Sequence, residues 1–331
     1  MPVNTDKSAG TAMNTIPSIF NEHKVPFTAF GGTEENLKVL IPSVTCVVLS
    51  RNGRQYRQVV IENLLRKGFA KVISVNQKSE QHTVEQLSHQ FPNVEFIVAL
   101  ENVLQGELLN IAFERAKTEY VFVIQDEMCG ENFIFNSALA EKLISKNKFC
   151  IAPRLVSETG HKIAVVFCPD VEKGKFRIEE ETSMADNLPT LYSYDYAGLY
   201  KRETFCLLGG FDYTITSEYW QKVDLFMRSW LWGEKTSVSN IFELSYSESI
   251  PEEDRTVELS YLRFYLKNIL PVFISDHAKI SKTAFLRFKM GNSCSFVESW
   301  TRFKDGMRWT QENQYRFKTD AVSLIENWGK A

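Results

Sequence analysis

The chain lacks the signatures of several common site chemistries. No G-x-G-x-x-G follows its first apolar run and no G-x-x-x-x-G-K-S/T occurs, which argues against a dinucleotide-dependent dehydrogenase and against a P-loop ATPase. Its six cysteines (Cys46, Cys129, Cys150, Cys168, Cys206, Cys294) form no C-x-x-C pair, and several sit inside apolar runs. They read as reduced core residues of a cytoplasmic protein rather than as a disulfide framework. The five histidines form no ligand pattern, which speaks against a His/Cys zinc site. A net charge of -3 offers no basic excess for nucleic acid. The longest late apolar run, residues 269–274, is far too short to span a bilayer. No basic region followed by an apolar one opens the chain, so no signal peptide is read.

What is present is a core-forming composition: 331 residues, 44% hydrophobic, enough for one or two domains. Residues 1–40 are polar and read as a flexible leader. From residue 44 the pattern alternates. Apolar strands are expected at 44–49, 71–76 and 94–98, with helices at 56–67, 83–91 and 107–117 between them and after them. Gly68 closes the first helix as a C-cap. Short connections in a β-α-β-α-β-α-β order imply a mostly parallel sheet with helices on both faces.

The fourth strand is the centre of the argument. Tyr120-Val121-Phe122-Val123-Ile124 is apolar throughout, as a strand buried on both faces must be, and it stops at Gln125-Asp126-Glu127. Open α/β sheets bind ligands outside the carboxyl ends of their strands. Asp126 and Glu127 therefore stand where hard oxygen ligands meet a divalent cation and the phosphates it carries. The other strand-end turns, Ser50 to Gly53 and Asn76 to Ser79, are ligand loops by the same rule.

Beyond residue 128 the rhythm changes. A helix is expected at 136–146 and a hairpin at 155–167 around a glycine turn. The charged stretch 170–187 reads as a surface excursion. An aromatic run from Tyr192 to Tyr200 precedes Gly209-Gly210-Phe211-Asp212, and a helix at 219–232 is ended by Gly233.

This order resembles the family 2-like glycosyltransferases of the GT-A fold, over roughly residues 44–245. The family's strand-end turn is matched by Val47-Val48-Leu49-Ser50-Arg51-Asn52. Its stretch leading to a D-x-D is matched by Asn110-Ile111-Ala112 through Gln125-Asp126-Glu127. Its G-G-F-D element is matched by residues 209–212, preceded by Gly198-Leu199-Tyr200-Lys201-Arg202. Its D-L-x-x-R helix is matched by Asp224-Leu225-Phe226-Met227-Arg228. The resemblance implies transfer of a sugar from a nucleotide diphosphate sugar to a glycan, lipid or protein acceptor, with Mn²⁺ or Mg²⁺ neutralising the leaving diphosphate. It implies donor contacts at Ser50, Asn52, Asn76, Asp126, Gly198 and Gly210, metal ligands at Glu127 and Asp126, and Asp212 orienting sugar or acceptor.

Three departures stand out. Gln125 replaces the first acid of the metal motif, and Asn76 replaces an acid that contacts base or ribose. The catalytic base position of E-D-x-D-L is Lys222, a poor base because it is protonated at neutral pH. Glu218 or Asp224 would have to substitute, while Glu218 and Lys222 at i,i+4 also suit a plain surface ion pair. A degenerate pseudo-glycosyltransferase, binding a nucleotide sugar or a partner enzyme, is the alternative. A nucleotidyltransferase is disfavoured because no Gly-rich basic loop follows the first strand. The tail, 251–331, reads as a helical extension to a GT-A domain at 41–250. Its basic and aromatic residues suit contact with an anionic membrane or a protein, and the favoured reading is amphipathic helices packed on the domain.

Overall fold

The computed structural model describes residues 23–33, 38–51, 57–129, 133–172, 175–183 and 185–330. Four apolar runs form the parallel half of the sheet: β2 (Ile41–Leu49), β3 (Phe69–Asn76), β4 (Val94–Ala99) and β5 (Tyr120–Gln125). The helices between them are α1 (Arg57–Lys67), α2 (Gln81–Gln90) and α3 (Gln105–Arg115). All lie within a few residues of the expected positions. β1 (Phe27–Gly31) adds an antiparallel edge to β4. The leader reading of residues 1–40 is corrected there: Phe27 and Phe30 pack against the apolar layers beside β4.

After α4 (Ser137–Ile144) come β6 (Cys150–Val156), the hairpin β7 (Val166–Glu172) and β8 (Lys175–Glu181), the short β9 (Leu188–Pro189), and β10 (Gly198–Lys201). Then follow α5 (Arg202–Leu208), α6 (Glu218–Leu231) and β11 (Thr236–Ser245). The main sheet runs β1-β4-β3-β2-β5-β10-β6-β11-β9. β10 is inserted antiparallel between β5 and β6, while β11 is parallel to β6. This is the GT-A arrangement, a mostly parallel sheet with one reversed strand beside the central one. The hairpin expected at 155–167 shrinks to a single bridge, Val156 to Lys162. The return strand instead pairs with β8, within the charged segment expected at the surface.

Strand alternation sorts the core into two layers. Val47, Leu49, Val121 and Val123 face α3, α5 and α6. Cys46, Val48, Phe122 and Ile124 face α1, α2 and α4. The tail closes the first layer with α7 (Leu259–Phe264), a π turn (Tyr265–Ile269), the small hairpin β12 (Val272–Ile274) and β13 (His277–Lys279), α8 (Ala284–Met290), α9 (Phe296–Asn313) and α10 (Ala321–Glu326). It shares one apolar core with the sheet domain through Phe264, Ala278, Trp309, Phe317 and Ala321. No helix among the described residues is long and apolar enough to cross a membrane.

A buried charge cluster fastens the tail. Lys267 lies 2.7 Å from Asp212 and 2.9 Å from Asp224, and Asn268 donates to Asp224 at 2.7 Å. Arg228, fully buried, reaches Asp224 at 2.9 Å and donates to the carbonyls of Leu208 and Gly210. The G-G-F-D and D-L-x-x-R elements are thus two halves of one network. Gly209 ends α5 in the left-handed region that glycine tolerates, at φ 88°.

Candidate functional site

A cleft of about 420 Å³ opens at the carboxyl ends of β2 and β5. Its lining includes Arg51, Asp195, Tyr196, Glu218, Lys222 and Glu253. The floor is built by alternation: after Val121 and Val123, Gln125 falls on the α6 side of the sheet. Its amide donates to Asp195 Oδ1 at 3.0 Å and to Gln105 Oε1 at 3.1 Å. Arg51, one residue past the buried Ser50, donates to Glu127 Oε1 at 2.7 Å and also to Asp195 Oδ1. Asp195 Oδ2 accepts from the Tyr246 hydroxyl at 2.8 Å. Asp195 and Tyr196 both hold positive φ, 54° and 60°, conformations that non-glycine residues adopt only under constraint from their surroundings.

The far wall is α6. Glu218, in its first turn, is exposed to the cleft. One turn inward, Lys222 is buried and pairs with Glu253, not with Glu218, so the surface ion pair is corrected. Its ammonium lies 4.9, 5.5 and 5.4 Å from the ring centres of Tyr192, Tyr194 and Tyr196. Glu253 also accepts from Tyr192 Oη at 2.7 Å and from Arg255 at 3.1 Å. Burial raises the Glu253 carboxyl, but Lys222, with Tyr192 and Arg255, more than offsets it, and the pKa ends below the usual carboxylate value. Burial, reinforced by Glu253, pushes the Tyr194 phenol up to about 12.

Glu253 belongs to residues 246–258, which strap the cleft. Ser247 donates to the Glu127 carbonyl through N (3.0 Å) and Oγ (2.9 Å), Tyr194 donates to the Pro251 carbonyl, and Trp220 Nε1 donates to Thr256 O at 2.8 Å.

The expected site residues divide. Glu218 lines this cleft, and the buried Glu127 borders it through its partner Arg51. Asp212 and Asp224 do not, since both are completely buried in the cluster around Lys267. Burial raises the Asp212 carboxyl, but Lys267 and Arg263 outweigh it and hold the pKa well below the usual range. Asp126 turns away beside Cys129, its carboxylate buried without a hydrogen-bond partner. Burial, then Cys46 and Asp126, push the Cys129 thiol up. Asn76 is used internally, donating to Ser74 O and Ile97 O at 3.0 Å each and accepting from Arg57. Ser50 lies 3.4 Å from Glu80. Gly198 is an interior strand residue whose added Cβ would meet Ile151 O at 3.0 Å and Cys150 Sγ at 3.1 Å, a packing role rather than a ligand contact. Gly210 is held through its carbonyl by Arg228. Asn52 lies outside the described residues. Trp220, Trp230 and Trp232 pack against Tyr261, Trp328 and Trp309. Sequence reasoning missed Arg51, Asp195 and Glu253. The available signals were an arginine in the first strand-end turn and an aspartate between two tyrosines.

Among the described residues no three His, Cys, Asp or Glu side chains gather as a metal site. The arrangement does not fit a divalent cation. Gln125 presents amide hydrogens to Asp195, Asp126 points elsewhere, and a guanidinium already bridges Glu127 and Asp195.

The fold is of the GT-A type. No family model matches the sequence, and no curated protein matches it. Among solved structures it is similar to GalNAc-T7 with UDP, GalNAc and Mn²⁺, at 11% identity and a TM-score of 0.55, over 87% of this chain and 57% of that one. The chain thus spans just over half the length of that neighbour. It is also similar to the mannosyltransferase PcManGT from Pyrobaculum calidifontis in complex with GDP-Man and Mn²⁺, at 12% identity and a TM-score of 0.44, over 89% and 79% of the two chains.

Proposed function

We propose that the protein transfers a sugar from a nucleotide diphosphate sugar to a hydroxyl of a glycan, lipid or protein. The observation that carries this reading is the reversed strand β10 beside β5, with a cleft at the strand ends bounded by Arg51 on the sheet side and Glu218 on α6. Glu218 is the exposed carboxylate on the α6 wall, and in this reading it takes the acceptor proton as general base. Lys222 and Glu253 brace the strap along one side of the cleft. The apolar residues Leu286, Met290, Phe296 and Val297, exposed beside Lys282 and Arg287, support peripheral contact with an anionic lipid surface.

A second reading has its own support. Among the described residues the cleft lining carries Asp195, Glu218, Glu252, Glu253, Asp254 and Glu258 against Arg51 and Lys222, and both of these cations are already paired. That balance disfavours an incoming diphosphate and suits a pseudo-glycosyltransferase. A panel of nucleotide sugars separates the two. Binding with release of the nucleoside diphosphate supports transfer, whereas binding without turnover supports the pseudoenzyme.

A further inference from the structure

GalNAc-T7, the neighbour at a TM-score of 0.55, is seen with Mn²⁺, whereas here the end of β5 holds a guanidinium between two acids. The geometry points to Arg51 as a built-in substitute for the divalent ion, so that this protein's strand-end site works without metal. This rests on the GT-A reading of the cleft, but its main test does not depend on any nucleotide sugar.

Three observations converge on Arg51. Its Nη1 lies 2.7 Å from Glu127 Oε1, the last position of the metal motif, and its Nη2 contacts Asp195 Oδ1. Both carboxylates are almost wholly buried, with side chains 3% and 2% exposed, so the charge between them must be balanced from within. Gln125 completes the change, because an amide donates to Asp195 where an acid would repel it. Loss of one acid and gain of a fixed monovalent cation lower the charge demand of the site together.

A guanidinium also has chemistry that suits the position. It carries five N–H donors in a plane and stays protonated at any working pH. Nη1 and Nη2 each use one hydrogen on the two acids. The Arg51 side chain is 21% exposed and lines the cleft, so its remaining edge faces the space in which a diphosphate would lie. Planar donors of this kind recognise phosphate oxygens in pairs. Tyr246 fixes the second Asp195 oxygen at 2.8 Å, and Ser247 fixes the backbone of Glu127. The slot is therefore held from both sides.

The test uses Mn²⁺ alone. Wild type, Arg51→Gln, Arg51→Lys and the double variant Arg51→Gln with Glu127→Gln are melted in EDTA and in Mn²⁺ at about 1 mM, and free Mn²⁺ is followed by its EPR signal. Wild type and Arg51→Lys are expected to take up no Mn²⁺ at the cleft. Arg51→Gln opens the slot and binds Mn²⁺ at least about tenfold more tightly than wild type. The double variant loses that binding. Circular dichroism identifies a variant that has failed to fold, and Arg51→Ala then takes the place of Arg51→Gln. Wild-type Mn²⁺ binding that disappears in Glu127→Gln overturns the proposal, as does an Arg51→Gln protein that gains no Mn²⁺. With a donor in hand, turnover is expected to be unchanged in EDTA, and turnover abolished by EDTA also overturns it. Failure of every nucleotide sugar to bind refutes the transferase reading while leaving the Mn²⁺ result to decide the role of Arg51.

Discussion

Replacing Lys267 with methionine removes the cation at the centre of the buried cluster. Wild type balances Asp212 and Asp224 with Lys267 and Arg228, all four fully buried. The variant leaves Arg228 on Asp224, and only the partly exposed Arg263, 3.7 Å away, near Asp212. Removing one partner of a buried pair costs about 3–5 kcal/mol, because an uncompensated charge stays behind. For a chain of this size that corresponds to a fall in melting temperature on the order of 10 °C. The pH dependence supplies a sign. In wild type the depressed Asp212 carboxyl stabilises the fold above its unfolded pKa of about 3.9, and that contribution is lost as pH falls towards the folded value. In the variant the folded carboxyl rises above the unfolded value, so the penalty is present at neutral pH and relieved by protonation on acidification. Thermal melts followed by circular dichroism should therefore show a large gap between the two proteins at about pH 7 that narrows by about pH 4.5. A gap below about 2 °C at neutral pH, or one that widens in acid, would refute the cluster as the fastening of the tail.

Other perturbations probe separate parts. A Cβ at Gly106 would overlap Gln221 Oε1 and lie 2.8 Å from Phe211 Cγ. Gly106→Ala should cost about 1–3 kcal/mol by urea unfolding, and an unchanged midpoint would mean that α3 and α6 are not in close contact. Lys222→Ala leaves Glu253 with the more exposed Arg255 as its remaining cation, so limited proteolysis within residues 247–258 should accelerate at least about tenfold. An unchanged cleavage rate would show that this pair does not hold the strap. Leu286→Asp combined with Val297→Asp should abolish co-sedimentation with anionic vesicles, and equal sedimentation of wild type and variant would remove the lipid contact from the account.

The parallel half of the fold is legible because β2 to β5 are continuous apolar runs separated by amphipathic helices, and both signals are local. β10 is four residues long and β1 five, too short for periodicity to declare them. The site is harder for a different reason. Arg51 and Asp195 are 144 positions apart, and only the sheet brings them together. Asp212 and Asp224 look catalytic in motif order because the partner that neutralises both, Lys267, lies in the tail on a π turn that no local pattern marks. Lys222 reads as a lost base from its position, whereas the structure gives it a tyrosine cage and a distant glutamate. Residue identity at a motif position proved a weaker guide than the charge that packing supplies.

The most direct test of the central claim is nucleoside diphosphate release from a panel of nucleotide sugars, with binding followed by thermal shift in the same samples. The account predicts that one donor raises the melting temperature and is turned over, and that Glu218→Gln lowers turnover by at least about 10²-fold while leaving the shift intact. A panel in which no nucleotide sugar stabilises the protein, or in which Glu218→Gln turns over as fast as wild type, would contradict it.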